Sequence, residues 1–133
     1  MFGQSPKPID PSKAYVVFYR EGRWNQVDWK IPCMVDDSVL VMLSKGRFSE
    51  PIAINPGVHF ISVQLEDTSV LDIEKDTLEV DLKPGIVKFF KIIFAPGYGE
   101  GNQVSHYKPA SIARAKDAER VIKERGLKLV NGK

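Results

Sequence analysis

Apolar positions dominate residues 14–20, AYVVFYR, where β-branched and aromatic side chains follow one another and predict a strand. The same kind of run recurs in IPCMV (31–35), VLVML (39–43), FSEPIAI (48–54) and VHFISVQLE (58–66). TLEVDL (77–82) alternates strictly, with Leu78, Val80 and Leu82 on one side and Thr77, Glu79 and Asp81 on the other. That is the period of a half-buried strand with one wet face. IVKFFKIIF (86–94) is apolar on both faces apart from its lysines, which predicts a central strand or one covered by a helix. VSHYK (104–108) reads as a short final strand.

The breaks between these runs carry turn chemistry. Pro56-Gly57 and Pro84-Gly85 sit in nearly the same setting, 28 residues apart, each before a run of Val, Ile and Phe. Proline presets φ at the second turn position and glycine accepts φ > 0, so each pair is expected to send one strand back against the next. Asp36-Asp37-Ser38 and Ser44-Lys45-Gly46 read as further turns. Residues 21–30, EGRWNQVDWK, read as a loop or irregular edge, and the acidic stretch 65–76 as a solvated connection or weak edge strand. The glycine-rich segment 95–103 reads as a flexible loop. Residues 1–13, rich in Pro, Ser and Lys, read as an extended leader to one domain spanning 14–133.

The period changes in the tail. In SIARAKDAERVIKERG the residues Ala115, Ala118, Val121 and Ile122 fall at helical spacing. A helix at about 111–125 is expected, with Ser111 as N-cap, Glu119 and Lys123 as an i,i+4 pair, and Gly126 just past the C-terminus. Ala118, Val121 and Ile122 are expected to pack on the sheet. The local patterns together predict a mainly β domain with tight reversals and one C-terminal α-helix.

Composition narrows the function classes. A length of 133 residues with 43% hydrophobic and 27% charged positions is one globular domain with a core of its own. The net charge of +2 is too small to argue for nucleic acid as a partner. No apolar run approaches the length of a transmembrane segment. Met1-Phe2-Gly3-Gln4 lacks the basic start and apolar stretch of a signal peptide. Cys33 is the only cysteine, so no internal disulfide forms.

Candidate chemistry is sparse. Cys33 stands in an apolar strand between Pro32 and Met34, the setting of a buried small hydrophobe. His59 and His106 are the only histidines, and neither has an acid within three residues to orient its ring. His59 on a regular strand shares a face with Ile61 and Val63, so a histidine at the core edge bonded to backbone or water is expected. GYGEG (97–101) is followed by VSHYKP and lacks the helix that a phosphate loop needs. The acids of 65–76 lack the frame of a calcium loop. The sequence thus points to no catalytic residue, no metal and no cofactor. The candidate interaction surface is aromatic: Trp24 and Trp29 in a polar stretch, with Tyr98 and Tyr107.

The order of several motifs carries a resemblance. AYVVFYR closes on Tyr19-Arg20, Val35-Asp36-Asp37 makes a strand–turn–strand hairpin, and Leu43, Gly46 and Phe48 precede Pro56-Gly57-Val58-His59. Leu82-Lys83-Pro84-Gly85 then leads to Phe89-Phe90. Over about residues 14–94 this resembles the bacterial domain-of-unknown-function family numbered twenty-eight forty-six. The resemblance implies a prealbumin-like antiparallel β-sandwich, and with the strand and helix patterns above the expected fold is such a sandwich of about seven strands with one C-terminal helix outside the matched part. Many members of that family are predicted lipoproteins, so it implies a cell-envelope location, periplasmic or lipid-anchored. A cytoplasmic location is the alternative suggested by the lack of a visible signal. It implies no reaction. The expected function is a non-enzymatic envelope domain that binds a protein or a cell-wall polymer. The alternatives are a carbohydrate-binding module using Trp24, Trp29 and nearby tyrosines, and a hydrolase whose cleft gathers a histidine with carboxylates.

Overall fold

β1 (Ala14–Arg20) is buried almost throughout because it runs through the middle of a sheet and is packed on both faces. The computed structural model describes residues 10–22, 30–63, 77–95, 98–99, 102–103 and 106–130. Within them β1 is followed by β2 (Ile31–Val35), β3 (Ser38–Leu43), β4 (Arg47–Phe48), β5 (Ile52–Ile54) and β6 (Gly57–Val63). Then come β7 (Leu78–Leu82), β8 (Val87–Ala95), β9 (Tyr98–Gly99), β10 (Asn102–Gln103), β11 (His106–Ile112), α1 (Ala115–Glu124) and β12 (Lys128–Leu129). One sheet has the order β11-β8-β1-β4-β12, with β5 also paired to β1. A second has the order β3-β2-β6-β7, and β9 and β10 form a two-stranded ribbon.

The two large sheets face each other across one apolar core. Ala14, Val16 and Phe18 of β1 and Phe90 and Ile92 of β8 meet Ile31, Cys33, Val35, Leu43, Ile61, Val63 and Leu82 of the second sheet. The alternate residues of the first sheet, Val17, Tyr19 and Phe89, point the other way and are covered by Ala118 and Ile122 of α1 and by Leu127. The fold is therefore a mainly β sandwich with one C-terminal helix laid on its outer side. This is why the β8 run is apolar on both faces. Val121 is half-buried in the same cluster as Ala118 and Ile122.

Both Pro-Gly pairs are corners between sheets, not hairpins. β5 pairs with β1, whereas β6, which follows Pro56-Gly57, pairs with β2 and β7. β7 pairs with β6, whereas β8, which follows Pro84-Gly85, runs parallel to β1. The expectation that each pair returns a strand onto its predecessor is corrected accordingly. Gly57 has φ +129 and Gly85 has φ +76. At the second corner the Ile86 N–H donates to the Lys83 carbonyl, closing a four-residue turn with Gly85 in the position that needs φ > 0.

Three further expectations change. Among the described residues twelve strands replace about seven, four of them only two residues long, and the run 48–54 is split. Pro51 has no N–H for a ladder, and the Ser49 hydroxyl accepts the Phe18 N–H at 2.9 Å, so β4 and β5 pair with β1 on either side of this interruption. The sandwich is not wholly antiparallel, since β1–β8 and β4–β12 are parallel. The helix starts at Ala115 instead of Ser111, because Ser111 and Ile112 continue the β11 ladder opposite Phe90 and Phe89. Arg114 takes the N-cap position without a side-chain cap bond, and Asp117 of the first turn pairs with its guanidinium at 3.3 Å.

Candidate interaction surface

β2 and β3 are joined by a two-residue turn in which Asp36 (φ 49) and Asp37 (φ 68) both adopt left-handed backbone. Such a turn matches the twist of a hairpin, and short acidic side chains tolerate it. Asp36 is then fixed against β6 on three sides. Its N–H donates to the Phe60 carbonyl at 2.9 Å, and its Oδ1 accepts the Phe60 N–H at 2.9 Å. Its Oδ2 lies 2.5 Å from Nδ1 of His59.

The other His59 nitrogen, Nε2, lies 2.6 Å from the Asn55 carbonyl oxygen. The orienting acid that is missing from the neighbourhood of His59 in sequence is supplied across the sheet by Asp36. The hydrogen bond to Asp36 raises the His59 pKa, the Asn55 carbonyl adds to the rise, and burial opposes it. The bonds from His59 and from the Phe60 amide hold the Asp36 carboxyl below the ordinary carboxylate range. His59, on the core-facing side of β6 opposite Val80, lies at the core edge with its side chain 15% exposed, bonded to a carboxylate as well as to backbone, while the Asp36 side chain is 46% exposed.

The face of the second sheet that looks away from the core is apolar. Val39, opposite Met34, is 54% exposed, and Met42, opposite Pro32, is 43% exposed. Val58 is 57% and Phe60 48% exposed, opposite Asp81 and Glu79 of β7. A bulge between Cys33 and Met34 leaves Leu40 without an opposite residue and keeps Val39 on the outer side while Val41 faces Cys33. Carboxylates border this surface on the side of β7 and of the hairpin turn: Asp36, Asp37, Glu79 and Asp81. Lys83 pairs with Asp81 at 2.8 Å.

Four further titratable groups are bound into the packing. Cys33 is buried, and burial pushes its thiol pKa far up, partly offset by the nearby Arg20 charge. Arg20 is itself buried at the end of β1 and donates to the Leu43 carbonyl through Nη1 at 3.4 Å. On the helix side, Glu21 receives Lys91 at 2.5 Å and Arg125 at 3.4 Å, tying the sheet to the end of α1. Burial, with the charges of Glu21 and Asp117, pushes the Tyr19 hydroxyl up to about 12. Among the described residues no three His, Cys, Asp or Glu side chains gather as a metal site. Within those residues no helix is long and apolar enough to cross a membrane.

Of the aromatic residues singled out in the sequence, Trp24 and Trp29 lie outside the described residues. Tyr98 and Tyr107 fall on β9 and β11, and their side chains lie outside the described part of the structure. Pro56, Gly57, Pro84 and Gly85 sit at the two corners. Sequence reasoning did not reach Val39, Met42, Val58 and Phe60. Their signal is an apolar run without alternation, as in VHFISV, on a strand that has only one covered face. Set against family models, curated proteins and solved structures, the chain matches none.

Proposed function

We propose that this chain is a non-enzymatic binding domain that docks a protein segment on the outer face of its four-stranded sheet. The observation that carries the reading is the exposure of Val39 and Met42 on β3 and of Val58 and Phe60 on β6, on the same outer face of a sheet in which β2 runs between those two strands. Four large apolar side chains exposed on one face of a folded domain, with Pro32 and Met34 of β2 between them, point to a contact surface. The rim remains net negative, with Asp37 and Glu79 beside Asp36 and Asp81, whose charges His59 and Lys83 offset, so apolar side chains alternating with lysines or arginines complement both the apolar face and its rim. Placement at the cell envelope belongs to the same proposal and rests on the family resemblance alone.

The test is a titration of the isotopically labelled protein with a synthetic amphipathic Leu/Lys peptide, followed by NMR. Shifts confined to Val39, Met42, Val58, Phe60 and Glu79 support the reading, as does their loss in a Val58→Ser, Phe60→Ser variant. A Leu/Glu peptide is expected to leave these signals unmoved. Perturbation of the same face by soluble peptidoglycan fragments, with none by the Leu/Lys peptide, would replace a protein partner with a wall polymer.

A further inference from the structure

Both ring nitrogens of His59 face acceptors. Nδ1 meets a carboxylate oxygen and Nε2 a backbone carbonyl. A carbonyl cannot donate, and an ionised carboxylate cannot either. A neutral imidazole has one N–H and one lone pair, so it can satisfy only one of the two contacts. The doubly protonated ring satisfies both.

The contacts on either side of the ring lead to the docking face. Asp36, held by Nδ1, holds the Phe60 N–H with its other oxygen. It also begins the turn that leads to Val39. Asn55, held by Nε2, stands at the corner that starts β6 and so sets the position of Val58 and Phe60. The Asn55 side chain accepts Lys13 Nζ at 2.8 Å, which brings the segment before β1 into the same junction.

We infer that His59 is a proton-operated positioning residue for the docking face, holding hairpin turn and β6 together while its ring carries both protons and loosening them when it loses one. The inference rests on the docking reading above and adds its regulation. The charged and titratable groups around the ring fit this role. Asp36 faces it directly from the β2–β3 turn, with Asp37 next in that turn. Lys13 faces Asn55 from the other side. β7 presents apolar Val80 opposite His59, while its Asp81 is engaged with Lys83. Asp36 is therefore the group whose charge the ring answers to, and it favours the cation.

The full chain is titrated with the Leu/Lys peptide at a series of pH values from about 5.5 to about 9, across the range in which histidines change charge. At each value the His59 ring shifts are read, together with the exchange of the Phe60 amide, corrected for its intrinsic rate and referred to Ile61 and Val63. Peptide affinity and Phe60 protection are expected to fall together, several-fold, as His59 deprotonates. His59→Gln is expected to bind weakly at every pH, without an inflection. Unchanged affinity and protection through the His59 titration overturn the inference and leave the docking reading standing. A peptide that binds at no pH overturns the docking reading, and the regulation of binding with it.

Discussion

Nδ1 of His59 and Oδ2 of Asp36 stand 2.5 Å apart across 23 residues of sequence. The contact joins the tip of one hairpin to the strand that leaves a Pro-Gly corner, and it makes both groups' charge states part of the fold's stability.

The pH dependence follows in sign from the two shifts. The His59 value is raised above its ordinary 6.5, so its contribution is complete below about that pH and is lost as pH rises through the folded value. The Asp36 value is lowered below its ordinary 3.8, so its contribution is complete above that pH and is lost as pH falls through the folded value. The gap in urea midpoint between the wild type and His59→Gln is expected to be widest between about pH 4.5 and 6 and to narrow in more alkaline solution. A gap that stays constant from about pH 5 to 9 would show that the ring's charge is immaterial to folding.

The two corner glycines separate by their backbone. Gly85 at φ +76 is close to the left-handed region that Asn and Asp visit, and an added Cβ would meet only ordinary contacts with Pro11 at 3.8 Å. Gly57 at φ +129 lies outside that region, with open space around a new Cβ. Gly57→Val is expected to cost about 1–3 kcal/mol through backbone strain alone. Gly85→Asn is expected to cost less than Gly85→Ala, whereas at position 57 Asn gains no such advantage. Chemical denaturation of Gly57→Val and of the Asn and Ala variants at both positions checks the ordering, and an advantage of Asn over Ala at position 57 would contradict it.

Strand identity was legible wherever local chemistry decides it. β1 and β2 occupy the residues that their apolar runs predict, because β-branched and aromatic side chains suit a buried pleated surface whichever sheet receives them. Sheet membership was not legible. Pro56-Gly57 reads the same whether it closes a hairpin or turns a corner, since the difference lies in which distant strand offers free N–H and C=O groups. The helix start shows the same limit: Ser111 is a good N-cap by itself, but the β8 backbone opposite it was available and extended the strand. The candidate site suffered most. Asp36 and His59 come together only through the antiparallel register of β2 and β6. Exposure of Phe60 depends on no other element among the described residues covering that face, which no local pattern encodes.

Cys33 gives a chemical test of the core. It is buried among residues of both sheets, its thiol held in the neutral form by burial, with a weak S–H bond to the Ile31 carbonyl at 3.6 Å. Alkylation by a maleimide needs the thiolate and access to it. The native protein is expected to remain unlabelled at mildly alkaline pH, and labelling should rise with the unfolded fraction in urea. Rapid stoichiometric labelling of the native protein would contradict this packing.

The last prediction concerns how α1 is held to the sandwich. The Gly126 N–H donates to the Lys123 carbonyl at 3.1 Å and the Leu127 N–H to the Ile122 carbonyl at 3.0 Å, with Gly126 at φ +64. This pair of bonds ends a helix on a left-handed glycine and brings an apolar residue beyond it back over the last turn. Ile122 and Leu127 accordingly belong to one cluster with Val17, Tyr19 and Phe89 of the sheet. The chain then continues into β12, so the cap also aims the last strand at β4. Ile122→Ala is expected to cost about 2–5 kcal/mol, since the side chain is fully buried and a sheet beneath it cannot collapse into the space. Leu127→Ala removes the other half of the same contact, so the two losses should not add. A double-mutant cycle by urea denaturation is expected to give a coupling of about 0.5 kcal/mol or more. Strict additivity would mean that helix and cap are held independently, each by the sheet alone.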